Sequence, residues 1–325
     1  MSIYVRDADG NRQKIAGVGL PGPAGKSAYQ YAVEGGFTGT EEEFRAVVGI
    51  RNNDNLLDNW YLADPINQRG QNVYTTTGFT IDRWFGFSDG ETYPMHVEVT
   101  KTGLYFPNSN NGISQRFEPA LDTKITYTFS FMEDTGEVYS SKIVPEEYIA
   151  LNGTSFGLFY QGTSLFFKPA SGKKFIAVKL ELGPVQTLAH KDASGNWVLN
   201  DPPPNKALEL AKCQRYQLPL LDRSGNYGCP IGFGVFQNTL GRIIIPTPTT
   251  MRGTPTLTVL NGNISAFEII DVSGTPHPVA TITTQGKFSN GIYLGVTITD
   301  TIATSPSICA LKYTSTGIPM LDSNL

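Results

Sequence analysis

The chain has 325 residues, enough for two or three domains each with its own core, and 40% of them are hydrophobic, which excludes a disordered polypeptide. Glycine (34) and proline (21) are abundant and only 17% of residues are charged, a composition that favours turn-punctuated sheet over long helices. A formal net charge of −4 supplies no basic field for a nucleic-acid backbone, and no polybasic stretch is present to hold an anionic membrane.

The first residues, MSIYVRDADGNRQ, lack the charged-then-apolar pattern of a secretory signal. No later run approaches the ~18 apolar residues of a membrane helix. The expectation is a protein made in the cytoplasm without a signal peptide. A polar hairpin is expected around Asp9-Gly10, followed by three Gly-x-y triplets from Gly19 to Ser27. Such triplets point to three chains running together, because only glycine fits the crowded axis of a collagen triple helix. SAYQYAVEGGFTGTEEEFRAVVG reads as two short helices broken at Gly35-Gly36, the second with Thr40 and Glu43 as a capping box and a stop at Gly49.

From Asn53 to about Val185 the pattern turns to strands. ITYTFSF places Ile125, Tyr127, Phe129 and Phe131 on one face, and FIAVKLEL sets Ile176, Val178, Leu180 and Leu182 against Phe175, Ala177, Lys179 and Glu181. Turn signals at Asp89-Gly90, Asn111-Gly112, Asn152-Gly153 and Ser171-Gly172 divide the region into a sandwich of about eight strands. Residues 190–204, polar and ending in three prolines, read as a stiffening linker. NKALELAKCQRY follows as a short helix whose narrow stripe of Ala207, Leu210, Ala211 and Gln214 suits a three-helix contact on an axis. About seven further strands, with turns at Asn261-Gly262 and Asn290-Gly291, make a second sandwich.

The catalytic and metal signatures are weak. GPAGKS ends like a phosphate-binding loop, but the required first glycine is Leu20, and Pro21 and Pro23 have no N–H to offer a phosphate. His96, His190 and His277 lie too far apart for a local zinc site. Cys213, Cys229 and Cys309 form no Cys-x-x-Cys pair and read as free buried thiols. The carboxylates Glu98, Glu118, Glu133, Asp134, Glu146 and Glu147 leave open a glycan depolymerase with two acids across a cleft. Trp60 and Trp84 have apolar neighbours and read as core. Trp197 in DASGNWVLND, Tyr227 in LLDRSGNYG and His277 in SGTPHP stand among turn formers and are the candidate binding residues, with ordinary loop residues as the alternative. No cofactor, metal or catalytic residue is expected.

Several segments together resemble a known family. GPAGKSAYQYAVEGGFTGTEEEF is similar to a module of phage and prophage tail proteins. NLLDNWYLADPINQRG and GFTIDRW resemble the opening of a tail-fibre jelly roll that itself resembles carbohydrate-binding modules. KLELG followed by CQRY, and PTTMRGTP from Pro248 to Pro255, are similar to later parts of such fibres. The stretch 186–204 departs from them by what reads as an inserted hairpin around Trp197.

The resemblance implies a non-catalytic phage tail fibre or receptor-binding protein of the virion. It would be a homotrimer, attached to tail or baseplate proteins through its N-terminus, with the C-terminal domain presented to a host surface glycan or protein. A purely structural baseplate subunit is the further alternative. The expected fold is mainly β: two antiparallel β-sandwich domains joined by a linker and short helix, after a small helical N-terminal segment. The expected divisions are an attachment segment (1–50), a jelly roll (51–189), a linker and trimerisation helix (190–216) and a receptor-binding tip (217–325).

Overall fold

The computed structural model describes residues 3–6, 12–16, 27–35, 38, 40, 54–89, 94–221, 229–260, 262–302, 306–315 and 317–323. The chain divides into two compact units, Met1–Asn52 and Asn53–Leu325. In the first, β1 (Ile3–Arg6) pairs antiparallel with β2 (Arg12–Ala16). Helix α1 (Ala28–Glu34) opens on a capping box: the Ser27 hydroxyl accepts from the Gln30 N–H at 3.2 Å, and the Gln30 side-chain Oε1 accepts from the Ser27 N–H at 2.8 Å. The Asp9-Gly10 turn, the Gly-x-y run over 19–26 and the helix expected from Thr40 with Glu43 lie outside the described residues.

The second unit begins with a sandwich. One sheet runs in the order β10 (Val138–Ile143), β9 (Tyr127–Glu133), β14 (Lys173–Leu182), β7 (Gly103–Phe106), β6 (Val97–Thr100), β3 (Val73–Tyr74). The other runs β11 (Glu147–Leu151), β12 (Thr154–Phe159), β13 (Ser164–Lys168), β8 (Asn111–Arg116), β5 (Phe85–Ser88), β4 (Gly78–Phe79). Two six-stranded sheets exceed the expected eight strands because pieces such as Val73–Tyr74 and Gly78–Phe79 are too short to show alternation. Asn111-Gly112, expected as a turn, lies within β8, paired to Phe87 and Ser88. Asn152-Gly153 does turn the chain, both residues having positive φ (50° and 73°) between β11 and β12.

Between the sheets Phe106, Phe129, Phe131, Phe156, Phe167 and Phe175 are all fully buried and meet mostly edge to face, contacts that add about 0.5–1.5 kcal/mol per pair beyond area burial. Trp84 and Trp60 are buried, as their apolar neighbours predict. The other face of the first sheet is also covered. Lys179, Glu181, Thr128 and Ser130 are buried there. Thr187 donates its N–H and hydroxyl to Glu181, Lys179 pairs with Asp201 at 3.3 Å, and Asn200 donates to the Thr187 carbonyl at 2.9 Å. Most of the polar stretch that reads as a linker therefore folds back on the sheet, with β15 (Ala189–Lys191) and β16 (Trp197–Leu199) paired as a hairpin.

The expected second sandwich is instead a closed barrel. Its strands run β18 (Pro230–Gln237), β19 (Leu240–Pro246), β23 (Gly291–Ile298), β22 (Pro276–Phe288), β21 (Phe267–Ile270), β24 (Ser307–Tyr313), and β24 pairs back to β18. Closure follows because β24 uses both edges, on β21 and on β18, leaving no gap at which two sheets could separate. A small sheet of β17 (Gln217–Pro219), β25 (Ile318–Asp322) and β20 (Thr256–Leu260) stands beside it. Outside the barrel, Phe233, Val235, Ile244 and Ile308 are 58, 49, 47 and 69% exposed and adjoin in register, Phe233 opposite Ile244 and Val235 opposite Ile308.

Helix α2 (Lys206–Gln214) lies between sandwich and barrel in the chain. It buries Glu209 and Cys213, not the stripe of Ala207, Leu210, Ala211 and Gln214, of which both alanines are exposed. Glu209 accepts from the Asn59 N–H, and the Asn59 side chain bonds the carbonyls of Ile66 and Asp82. Buried Arg69 donates to Gln217, Gln68 donates to the Gln217 carbonyl at 3.0 Å, and Arg252 pairs with Glu118. The segments around Asn59, Asp82 and Tyr216 thus meet in one polar junction.

Candidate functional site

The outward face of the second sandwich sheet is its most developed surface. In antiparallel register one row of residues crosses all six strands: Tyr148, Gly157, Phe166, Ser114, Phe85 and Phe79. A neighbouring row runs Phe159, Ser164, Arg116. The rows point outward because strand alternation sends Leu165 and Phe167, and Phe156 and Leu158, into the core.

The rings on this face contact one another: Phe166 meets Phe87, Phe159 and Tyr160 with centroids 5.5, 5.5 and 5.9 Å away, and Phe79 meets Phe85 at 5.3 Å. Two glycines let the rings lie on the sheet. A Cβ on Gly112 would come within 2.5 Å of the Phe87 ring, and one on Gly157 within 2.4 Å of Phe159. Three adjoining hollows result, the largest of about 650 Å³. Tyr160, 66% exposed, lines all three.

Polar groups stand at defined points among the rings. Ser114 and Arg116 line one hollow with Ser164, while Asp89, Glu146, Ser155 and Lys168 line the next. Arg83 closes one end: its Nε donates to Asp58 at 3.0 Å, it donates to the Arg116 carbonyl at 2.8 Å, and its guanidinium sits 3.5 Å from the centroid of the Tyr216 ring. Lys168 pairs with Asp89. Flat rings with hydroxyls and charges between them can stack on the apolar face of a sugar and bond its hydroxyls.

Comparison with protein-family models, with curated proteins and with solved structures finds no match.

Of the three residues singled out by sequence, His277 and Trp197 lie apart, in the barrel and in the hairpin of β15 and β16. Tyr227 lies outside the described residues. His277 is not an exposed loop residue: it sits in β22, 5% exposed, with Nδ1 2.9 Å from Asp300 and Nε2 3.4 Å from Asp271. Burial pulls its pKa down, but the bonds to Asp300 and Asp271 outweigh that and raise it above its ordinary value. Asp271 is held down to about 2, first by the Ser273 hydroxyl and then by the Thr275 N–H. The turn formers around His277 build this Asp271 loop and leave the imidazole beneath it. Trp197 is half-buried in β16 with the Lys191 ammonium 5.3 Å from its ring centroid.

Of the carboxylates considered for hydrolysis, Glu118 and Glu146 line different hollows, the first paired with Arg252 and the second accepting from the Gln161 N–H. Glu133 is buried against Lys173, Asp134 pairs with Lys174, and Glu98 contacts His96. In the junction, burial raises Asp82 to about 6 against the opposing bonds from Gln68 and the charge of Arg69. Burial also drives the Cys213 thiol strongly up, the opposite of what a nucleophile needs. Cys213 and Cys309 are buried, but Cys229, expected to be buried, is exposed; all three are free. Among the described residues no cluster of His, Cys, Asp and Glu could hold a metal, and no helix is long and apolar enough to cross a membrane.

Tyr148, Tyr160, Phe166 and Arg116 do not stand out in the linear sequence. The available signal was SLFFK, where Phe166 stands between Leu165 and Phe167: large apolar residues on both faces of one strand mean that the outer face also has something to cover.

Proposed function

We propose that the protein is a non-catalytic attachment subunit of a phage tail, a fibre or receptor-binding protein that holds a host surface glycan in the aromatic groove of its sandwich. The observation that carries this reading is the row from Tyr148 to Phe79, with rings and hydroxyls interleaved across six strands. The resemblance of the sequence to tail fibres supplies the setting, a virion protein attached to the tail or baseplate through its N-terminal unit. The proposal sets recognition on the sandwich, in contrast to the C-terminal domain that the resemblance to tail fibres implies.

Assembly as a homotrimer is part of the proposal. The apolar strip of Phe233, Val235, Ile244 and Ile308 supports self-association, since exposed patches of this kind mark protein contacts. Three weak glycan sites would then act together on one surface. The test is to incubate the purified protein with host cells and with their extracted surface glycan. Binding without release of reducing ends is expected. Release of reducing ends would replace the adhesin with a depolymerase, and loss of binding in neither Tyr148→Ala nor Tyr160→Ala would move the site elsewhere.

A further inference from the structure

The charges around the groove are unequally compensated. Arg83 pairs with Asp58, Lys168 with Asp89, and Glu118 with Arg252. Arg116 is different. Its backbone carbonyl accepts from Arg83, but its guanidinium has no hydrogen-bond or ion-pair partner among the described residues. It is exposed, it lines two of the three hollows, and it lies directly opposite Ser164 in the sheet register. Ser164 is almost wholly buried as a residue, yet it lines the same two hollows, and its hydroxyl has no partner among the described residues.

A planar guanidinium beside a free hydroxyl, with the Tyr160 ring at the same place, matches a carboxylate carried on a sugar ring. The fork binds the two carboxylate oxygens, the hydroxyl adds a donor, and the aromatic ring takes the sugar's apolar face. The uncompensated carboxylate Glu146 lies in the neighbouring hollow, so the two ends of the groove differ in sign and a bound chain has a preferred direction.

We propose that the groove takes an acidic polysaccharide, with Arg116 reading a sugar carboxylate and Glu146 facing hydroxyls further along. This rests on the glycan-binding reading above and narrows it to one chemical class. Sulfated sugars share the anionic chemistry and can also offer two oxygens to the fork, but their head is tetrahedral and their oxygens are weaker acceptors than those of a carboxylate, so they are a separate arm of the test.

The experiment is calorimetry with the full chain, against carboxylated oligosaccharides of the uronic and ulosonic types, their carboxyl-reduced counterparts, and sulfated analogues. The expected result is binding of a carboxylated oligosaccharide at least about tenfold tighter than its reduced form, the scale of one charge-assisted contact. That preference should weaken with added salt, disappear in Arg116→Gln and return in part in Arg116→Lys. Tyr160→Ala should weaken the acidic and the reduced forms alike. Equal affinity for both forms, a preference that survives Arg116→Gln, or tighter binding of the sulfated analogues overturns the inference while leaving the glycan groove in place. Failure of every oligosaccharide to bind overturns both.

Discussion

Between the sheets of the sandwich the core is aromatic, with six fully buried phenylalanines, whereas the barrel interior is mainly aliphatic, with Ile243, Ile269, Ile292, Leu294 and Val296 around Phe236 and Phe267. Two separate sheets stand ~10 Å apart and need long side chains to meet, while a sheet closed on few strands leaves a narrow interior that branched residues fill. The outer faces contrast as well. The sandwich presents hollows in which rings, hydroxyls and charges alternate, and the barrel presents an apolar strip around Phe233 with Arg242 beside Val235. A mixed hollow suits a ligand with both apolar and hydroxylated faces, and an apolar strip suits another protein surface. The same strand alternation thus gives one chain two kinds of outer face, one with polar groups set among rings and one apolar throughout its strip.

The largest expected effect tests whether the two regions stand or fall together. Phe131→Ala should cost about 3–5 kcal/mol and Leu294→Ala about 2–5 kcal/mol. Urea unfolding of both should show one transition for residues 53–325, because Arg69 and Gln68 tie the sandwich to β17 of the small sheet, whose Leu218 shares a core with the barrel, and Glu209 ties it to α2. Two separated transitions would break that coupling. Next in size, replacing Phe233 and Ile308 together by serine should reduce the mass found by light scattering to that of one chain, with glycan binding per chain unchanged. A parent protein that is already monomeric removes the role given to the strip.

Tyr160→Ala should lower glycan affinity by about 1–3 kcal/mol while shifting stability by no more than about 0.5 kcal/mol, since the ring is mostly exposed. An equal loss of stability would make the ring packing and not contact. The smallest effect concerns the barrel alone. The folded pKa of His277 lies above its ordinary 6.5, so the stabilisation it brings is complete below about pH 6.5 and is lost as pH rises through the folded value. Melting temperatures of the parent should therefore fall over that window, and those of His277→Gln should not.

Strand content was readable in the sequence because alternation such as Tyr127, Phe129, Phe131 reports a buried face directly. In FIAVKLEL the same rule put Phe175 opposite Val178 and Leu180. The register shift between Phe175 and Ala177 brings all of them against the core, Phe175 packing on Phe131 while Val178 pairs with Phe131 and Leu180 with Phe129. A bulge leaves no mark in a period-two pattern. The burial of Lys179 and Glu181 was not legible, because nothing local announces that residues 186–201 return to cover them. The groove was illegible for a related reason: its members come from six strands, and only pairing brings Tyr148 into line with Phe79.

Closure of the barrel also orders events in time. The last strand of the sandwich ends at Leu182, whereas the barrel needs β24, from Ser307, to return to β18, and the small sheet needs β25 between β17 and β20. During synthesis the sandwich sheets can form while most of the barrel is still to be made, so the aromatic groove is finished first. The barrel waits for a pairing between strands some seventy residues apart, a long loop whose ordering is slow. Until β24 arrives, the apolar outer residues of β18 and β19 flank an unpaired backbone edge, so the apolar strip with Ile308 is completed only with the last strand of the barrel.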